Sequence, residues 1–437
     1  VTPLQLGSWD KVSIIDAGHF DLQTAYIAVN SIRKNDMRPH IFKTRDGGKT
    51  WEEIVKGMHN MGPVNVVRED PYQPGLLFAE TEREVYFSAD DGSNWQSLRQ
   101  NMPASSIRDL VIHDDDLVIG THGRSIWILD NIAPLRELTS VNKQKPFLFS
   151  PPTAYRVRFN MFSDTPMPPE EPAGQNPPDG AIIDYYLPNQ AQIVMVQIFT
   201  DRGDLVRTYR NDDKPLVVDS TSLPHPTYWI RPEQVLSAES GHRRFVWDMR
   251  YQPPADARFS YPISAVYRNT AAVPKGPLAH PGKYRVRLTV DGEVMETVFE
   301  LKADPRSQAS PQDLEMQREY AMRSHSAYLE LAEMKSRMDE QLQQSSRGRT
   351  QQVLDRGRSL RGQGAPGEVD VLYGRITQAP LERESIVSLQ EKFLYMISVI
   401  QEADVTPTGP AKEAIAQLEY RKNELLALCK QWLAGLR

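Results

Sequence analysis

The chain of 437 residues has a single cysteine, Cys429. One thiol excludes an internal disulfide framework and any Cys-rich zinc site. No stretch reaches the ~18 uninterrupted apolar residues that a membrane-spanning helix needs. Positive charge is in short supply: 51 Lys and Arg stand against 57 Asp and Glu, a net of −6. That argues against a general nucleic-acid binder, although a local basic patch is compatible with it. The nine His show neither an HExxH motif nor paired spacing, so no metal site is expected; no cofactor is expected either. The chain opens Val1-Thr2-Pro3, without an initiator Met or a basic-then-apolar signal segment. The expectation is a processed N-terminus or a piece of a longer protein.

What is present suffices for several cores. Hydrophobic residues make up 40% and charged residues 25%, and the length suggests two to four domains of about 150 residues. The character changes along the chain. Residues 9–150 read as short strands separated by Asp, Gly and Asn turns. Residues 151–178 form a Pro-rich connection with Pro166, Pro168, Pro169, Pro172, Pro177 and Pro178, which excludes a helix there. Residues 179–305 return to strands. Residues 310–437 are helical and rich in Glu, Gln, Leu, Arg and Met.

The first region repeats itself. Thr44-Arg45-Asp46-Gly47-Gly48-Lys49-Thr50-Trp51 matches Ser88-Ala89-Asp90-Asp91-Gly92-Ser93-Asn94-Trp95 at an offset of 44 residues. His40–Lys43 and Glu84–Phe87 precede the two copies as matching strands, and Ala25–Val29 and Gly75–Ala79 supply a strand before each. A third copy, without the Asp turn, runs through Asp116–Thr121 and Ile126–Leu129. A period of 40–45 residues with about four short strands per unit predicts β-propeller blades. In each turn the carboxylate of Asp46 or Asp90 can accept backbone N–H groups. Gly48 and Gly92 can supply positive φ, and Trp51 and Trp95 can pack beneath the hairpin. The reading for these six residues is structural.

The pattern Ser/Thr-x-Asp-x-Gly-x-x-Trp is the Asp-box, or BNR repeat. Residues 9–150 resemble the Asp-box propellers of sialidases, xyloglucanase-type glycoside hydrolases and the sortilin receptor domain. The closer likeness is to large bacterial secreted proteins labelled glycosyl hydrolase or sortilin-like. It rests on Val67–Pro71, Leu76–Ala79, Gly120–Asp130, Gly180–Leu187, Arg244–Tyr251 and Pro281–Val286. Members of that group are longer at the N-terminus, where most blades lie. Three blades do not close a ring, so the resemblance implies the C-terminal part of a propeller protein, with the remaining blades N-terminal to this chain.

The resemblance also sorts the loops. Asp-boxes occupy the turn between third and fourth strands, on the face away from the ligand, and first-to-second turns share that face. Asp16, Asp21, Glu69, Asp70 and Asp114–Asp116 fall there and are expected to be solvated. The ligand face takes the loop Asn30–Pro39 with Arg33, Asp36 and Arg38, the turn Glu82-Arg83-Glu84, His122-Gly123-Arg124, and the inter-blade loops around His59 and Asn101. Asp36, Glu82 and Glu84 are the catalytic candidates, because glycoside hydrolysis needs two carboxyl groups roughly 5–10 Å apart. Arg38 and Arg124 are candidate anion grips, and His122 a candidate proton-transfer group or inter-blade tie.

In residues 179–305 the strands Gln192–Phe199, Leu205–Tyr209, Arg244–Met249, Lys283–Val290 and Thr297–Leu301 predict an immunoglobulin- or fibronectin-like β-sandwich, with an Asp291-Gly292 hairpin turn and Trp247 in its core. Residues 252–280 form a long loop suited to covering a neighbour. Ser310, Pro311 and Asp313 start a helix, and further helices are expected over about 350–362, 381–403 and 411–434, together a helical bundle. Arg347, Arg349, Arg356, Arg358 and Arg361 cluster on it, and Cys429 is expected inside. The fold class is therefore multidomain and mainly β with an α-helical tail: partial propeller, sandwich and bundle.

Two functions fit. One is a periplasmic or extracellular, sortilin-like propeller that binds a glycan, peptide or protein without turnover. The alternative is a sialidase- or xyloglucanase-like glycoside hydrolase using the ligand-face carboxylates.

Overall fold

The computed structural model describes residues 2–158, 174, 176–221, 223–257, 259–263, 268–344, 351–362 and 384–436. Much of the Pro-rich connection therefore lies outside the described residues, as do Arg347 and Arg349. The chain is mainly β, with several small sheets, and ends in helices. It forms two compact units. The first holds Val1–Pro152, Ile182–Gln190 and Glu239–Arg244; the second holds Thr153–Ala181, Ala191–Ala238 and Phe245–Arg437.

Three antiparallel meanders build the first unit. Strands β1 (Lys11–Ala17), β2 (Ala25–Asn30), β3 (His40–Thr44) and β4 (Glu52–Glu53) pair in chain order. So do β5 (Val64–Glu69), β6 (Leu77–Thr81), β7 (Val85–Ser88) and β8 (Gln96–Ser97). The third sheet has β9 (Ile107–His113), β10 (Asp116–Thr121) and β11 (Ile126–Leu129). Strand alternation explains how they pack. On one face of the middle sheet, Val67, Leu77 and Ala79 join Tyr26, Ile41 and Ile54 of the first sheet region. On the other, Val66, Phe78 and Val85 join Ile107, Leu110, Leu117 and Ile119 of the third. Burial on both faces is why β6 begins as an apolar run rather than an alternating one.

The two turns of the 44-residue repeat close in the same way around their carboxylates. Asp46 Oδ1 accepts the N–H groups of Lys49 and Thr50, both at 2.9 Å, and its Oδ2 accepts the Thr50 hydroxyl at 2.7 Å. Asp90 Oδ1 accepts Asn94 N–H at 2.8 Å, and its Oδ2 accepts the Asn94 side-chain amide at 2.7 Å. Thr44 and Ser88 each donate a hydroxyl to the carboxylate and accept the N–H of Gly48 or Gly92 at 2.9 Å. Those bonds, led by the Thr50 N–H, hold the Asp46 pKa down to about 2. Burial works against Asp90, but its hydrogen bonds with Asn94 and Ser88 win and lower its pKa. Each turn is tied to the first-to-second turn of its own sheet, by Gly47 N–H to Gln23 O and Asp91 N–H to Gly75 O, both 2.9 Å. Trp95 is buried and donates Nε1–H to Ile54 O at 2.8 Å. Trp51 is half-buried against Ile27, Val29 and Phe42.

After helix α1 (Ala133–Arg136), strand β12 (Phe147–Leu148) pairs with β14 (Ala181–Leu187) in a small sheet ordered β12–β14–β17, where β17 is Gly241–Trp247. Buried Asp184 fixes these later segments to the first unit. It accepts Asn131 Nδ2 at 2.7 Å and Arg244 Nε at 2.9 Å, and pairs with His242 Nε2 at 3.2 Å. Arg244 also donates to the Asp130 and Asn131 carbonyls at 2.8 and 3.1 Å. A sequence boundary at residue 150 does not register this long-range carboxylate tie.

In the second unit, β13 (Ala154–Arg156), β15 (Val194–Thr200), β16 (Leu205–Arg210), β18 (Gly282–Val290) and β19 (Glu293–Ala303) form one sheet, ordered β13–β19–β18–β15–β16. Asp291 and Gly292 turn β18 into β19 with φ of 47° and 94°, the positive values that a tight hairpin requires. Trp247 is fully buried beside Tyr284 and Phe299. Helices α2 (Pro311–Gln344), α3 (Gln351–Arg361), α4 (Ile386–Ile400) and α5 (Gly409–Ala434) share a core with Leu331, Phe393, Ile415, Leu425 and buried Cys429. Ser310 and Asp313 cap α2 reciprocally: Ser310 N–H reaches Asp313 Oδ2 at 2.9 Å, and Asp313 N–H reaches Ser310 Oγ at 3.2 Å. The long loop docks on these helices through Asp256, which accepts Tyr328 OH at 2.9 Å and pairs with Lys335. Helices and sheet share a unit because buried Arg156, on β13, pairs with Asp404 at 2.8 Å and donates to Gln317 Oε1 at 3.4 Å. Arg358 and Arg361 of the basic cluster pair with Asp355 and Asp339.

Gly92 has φ of 85°, and a Cβ there would lie 2.4 Å from Ile54 Cδ1. Gly92→Ala is expected to lower unfolding free energy by about 1–2 kcal/mol, measured by chemical denaturation.

Candidate functional site

Strand alternation puts the β2–β3, β6–β7 and β10–β11 turns at one end of the three sheets, together with the connections that lead from one sheet to the next. Equivalent backbone bonds seal that end. Gly62 N–H reaches Met37 O at 2.8 Å, Glu82 N–H reaches Pro63 O at 3.2 Å, and His122 N–H reaches Ser106 O at 2.8 Å. All six candidate catalytic and binding residues belong to these turns or the strands they join.

The carboxylates are engaged locally. Asp36 accepts Arg38 Nε at 3.0 Å, Arg38 Nη2 at 2.7 Å and Arg38 N–H at 3.0 Å. Its Oδ2 lies 3.3 Å from His40 Nε2, and His40 Nδ1 lies 2.6 Å from Glu53. The bidentate Arg38 contact holds the Asp36 carboxyl well below the usual range. Glu82 Oε1 accepts Asn65 Nδ2 and Arg108 Nη1, both at 3.1 Å. Glu84 accepts Tyr86 OH and Ser97 OH, both at 2.7 Å. No hydrogen bond or ion pair among the described residues joins Asp36, Glu82 and Glu84 to one another.

The cations divide. Arg38 is spent on Asp36. The side chains of Arg83, His122 and Arg124 have no hydrogen-bond or ion-pair partner among the described residues, and His122 and Arg124 are exposed. The backbone beneath them is held firmly. Thr121 Oγ1 accepts Arg124 N–H at 3.0 Å, Trp127 Nε1–H reaches Arg124 O at 2.9 Å, and Gly123 takes φ of 85°.

At the Asp-box end the expectation of solvated acids fails for several residues. Asp70 and Glu69 are buried. Asp70 pairs with Arg136 Nε at 3.0 Å, and Glu69 accepts His19 N–H at 2.7 Å. Asp16 pairs with Arg68 at 3.1 Å and accepts Glu69 N–H at 2.8 Å. Arg68 reaches Asp109 at 3.3 Å from its other amino group, so one guanidinium ties β1, β5 and β9. Alternation alone assigns these acids to turns. It does not reveal the cations that long-range packing delivers to them.

Sequence reasoning also passed over Glu80. Its side chain is fully buried, on the Phe78 face of β6, and neither carboxylate oxygen has a hydrogen-bond partner. Burial, reinforced by the charge of Asp109 and only partly offset by Arg68, raises its pKa to about 9. The signal was legible as a carboxylate ending the apolar run Leu76-Leu77-Phe78-Ala79.

No family model matches the chain, and no curated protein matches it. Among solved structures it is similar to YCF48 bound to D1 peptide, at 19% identity over 29% of this chain and 40% of that one, with a TM-score of 0.23. It is also similar to the extracellular domain of the hybrid two-component system BT4673 from B. thetaiotaomicron, at 9% identity over 64% of this chain and 30% of that one, TM-score 0.19. A third likeness is to Kluyvelomyces marxianus Hsv2, at 11% identity over 66% of this chain and 97% of that one, TM-score 0.19. The chain thus spans less than half the length of the first two. At these TM-scores the likenesses carry no inference about fold or activity.

Glu80 yields a pH prediction. Its folded pKa of about 9 stands above the ordinary 4.5. Between those values the folded state holds one more proton than the unfolded state, so the contribution of Glu80 to stability falls as pH rises through that window. Glu80→Met removes this titration. Denaturation at pH 5 and pH 8 is expected to show the variant gaining on the parent by up to about 4 kcal/mol over that range.

Proposed function

We propose that the three meanders are blades of an Asp-box β-propeller, and that the chain is an extracytoplasmic, sortilin-like binding protein. It holds a glycan, peptide or protein at the end formed by the second-to-third turns. The observation that carries this reading is the division of groups at that end. Asp36, Glu82 and Glu84 are each engaged as hydrogen-bond acceptors by their neighbours, while Arg83, His122 and Arg124 have no side-chain partner among the described residues and stand on a fixed backbone. A carboxyl held low by a bidentate arginine, as Asp36 is, is poorly suited to general-acid catalysis, which needs a pKa near the working pH. Glycoside hydrolysis is therefore the weaker reading.

The remaining blades would lie N-terminal to these three. Supporting this, Ile126 and Ile128 are 70% and 58% exposed on β11, and Ile15 is 67% exposed on β1. These strands belong to the outer two of the three sheets, where further blades would cover them. In the second unit we assign the five-stranded sheet to a β-sandwich and the four helices to a bundle.

Glycan and peptide arrays, run alongside a glycosidase substrate panel and cell fractionation, test the reading. The expected result is saturable binding without turnover, in an extracytoplasmic fraction. Arg124→Ala with His122→Ala is expected to weaken binding at least about tenfold, with the melting temperature unchanged. Turnover abolished by Glu82→Gln or Asp36→Asn would establish the hydrolase instead.

A further inference from the structure

The second unit gathers cations away from any site considered so far. A short antiparallel pair brings residues 249–251 beside 277–279, through Tyr251 N–H to Pro277 O and Ala279 N–H to Met249 O, both 2.8 Å. The chains approach closely: a Cβ on Gly276 would lie 1.9 Å from Tyr251 O, so glycine is needed there for space. Arg250 Nη1 folds back to donate to Gly276 O at 2.9 Å, which sets its guanidinium next to the Lys275 peptide. Arg156 donates to Ala279 O at 3.1 Å, which brings a second guanidinium to the same segment.

The charges around this segment do not balance. Arg156 and Arg158 share a single oxygen of Asp404, at 2.8 and 2.5 Å. Arg231 pairs with Asp179 at 2.5 Å. The Asp248 carboxylate accepts Tyr209 OH at 3.3 Å and Arg250 N–H at 3.2 Å, and takes no guanidinium. Arg250 has no carboxylate partner, and Lys275 has no hydrogen-bond or ion-pair partner at all among the described residues. Among the described residues, five cations that sense one another thus face three carboxylates, a surplus of two. Arg156 is 2% exposed, and its Nε is also without a partner.

Desolvated cations are ordinarily paired, because burying an unpaired charge is costly. Arg156 and Arg250 are the desolvated pair; Lys275 is exposed. The protein around its ammonium, and then the charges of Arg250 and Arg231, hold its pKa down to about 8. Burial likewise lowers Arg250 to about 10. Both groups would be stabilised by an anion that enters from solvent at Lys275.

We propose that Arg250 and Lys275, backed by Arg156 and Arg158, bind a divalent oxyanion: a phosphate or sulfate group, free or carried as an ester on a larger molecule. Two negative charges match the surplus, and compact tetrahedral oxygens can take both an ammonium and a guanidinium. The site lies in the second unit and is independent of the propeller reading.

Titration calorimetry on the full chain at fixed ionic strength tests it. Separate arms use inorganic phosphate, inorganic sulfate, a sugar phosphate and a sulfated sugar, with acetate as the monovalent control. Saturable binding of at least one divalent oxyanion, and weaker binding of acetate, is expected. Tighter binding of an ester than of its free ion would identify the larger ligand as the source. Lys275→Gln is expected to weaken binding about tenfold or more, and Lys275→Arg to retain it. Because Lys275 reaches solvent, its variants remain informative even where Arg250→Gln does not fold. Absence of saturable binding in every divalent arm, or unaltered binding by folded Lys275→Gln, would overturn the proposal.

Discussion

A carboxylate that accepts hydrogen bonds inside a tight turn sets the organisation of the first unit. Asp46 and Asp90 each gather the hydroxyl two residues before them and the N–H four residues after. This is possible only because left-handed backbone follows each of them, at Gly47-Gly48 and Asp91-Gly92. With the turn closed, the fourth strand must run back along the third. The first-to-second turn is then bonded alongside. Repetition of this unit after 44 residues makes successive sheets equivalent, so that one face of each can fill the next.

Equivalence divides the labour between the two ends. At the Asp-box end, acids are consumed by structure: Arg68 spans Asp16 and Asp109, and Arg136 holds Asp70. The Arg68–Asp16 and Arg136–Asp70 pairs are partly or fully buried. Removing one partner would strand the other in a poorly solvated place, which costs far more than the pair itself contributes. At the opposite end the backbone is just as closely tied, yet among the described residues Arg83, His122 and Arg124 remain uncommitted. A rigid turn that presents unpaired polar groups is the arrangement that recognition uses. In the second unit, Arg156 has the role that Arg68 has in the first, since it joins a strand to the helical segment through Asp404.

Much of this was legible in residue order. The repeat located β2, β3, β6, β7, β10 and β11, and Ser310, Pro311 and Asp313 marked the start of α2. The Asp291-Gly292 hairpin and the buried Trp247 were also readable. Pairings between distant residues were not. Asp184 ties to Asn131 and Arg244 across 53 and 60 residues, so the chain re-enters the first unit after an apparent boundary. Asp36, Glu82 and Glu84 look alike in sequence, because residue order does not show that Arg38 and Tyr86, two residues away, or the distant Arg108 are already bonded to them. Glu80 is the reverse case. Its isolation in an apolar run was visible, but its lack of any partner depends on how two sheets pack.

The central claim is that the Asp-box turns open only when their sheets open. Native-state hydrogen exchange measures this directly, through the amides of Gly48, Thr50, Gly92 and Asn94 against that of exposed Gly123. Protection of the first four close to that of the buried strand amides in β2 and β6, with fast exchange at Gly123, is the predicted result. Exchange of Thr50 and Asn94 as fast as Gly123 would contradict it, because the carboxylates would then decorate turns that form without them.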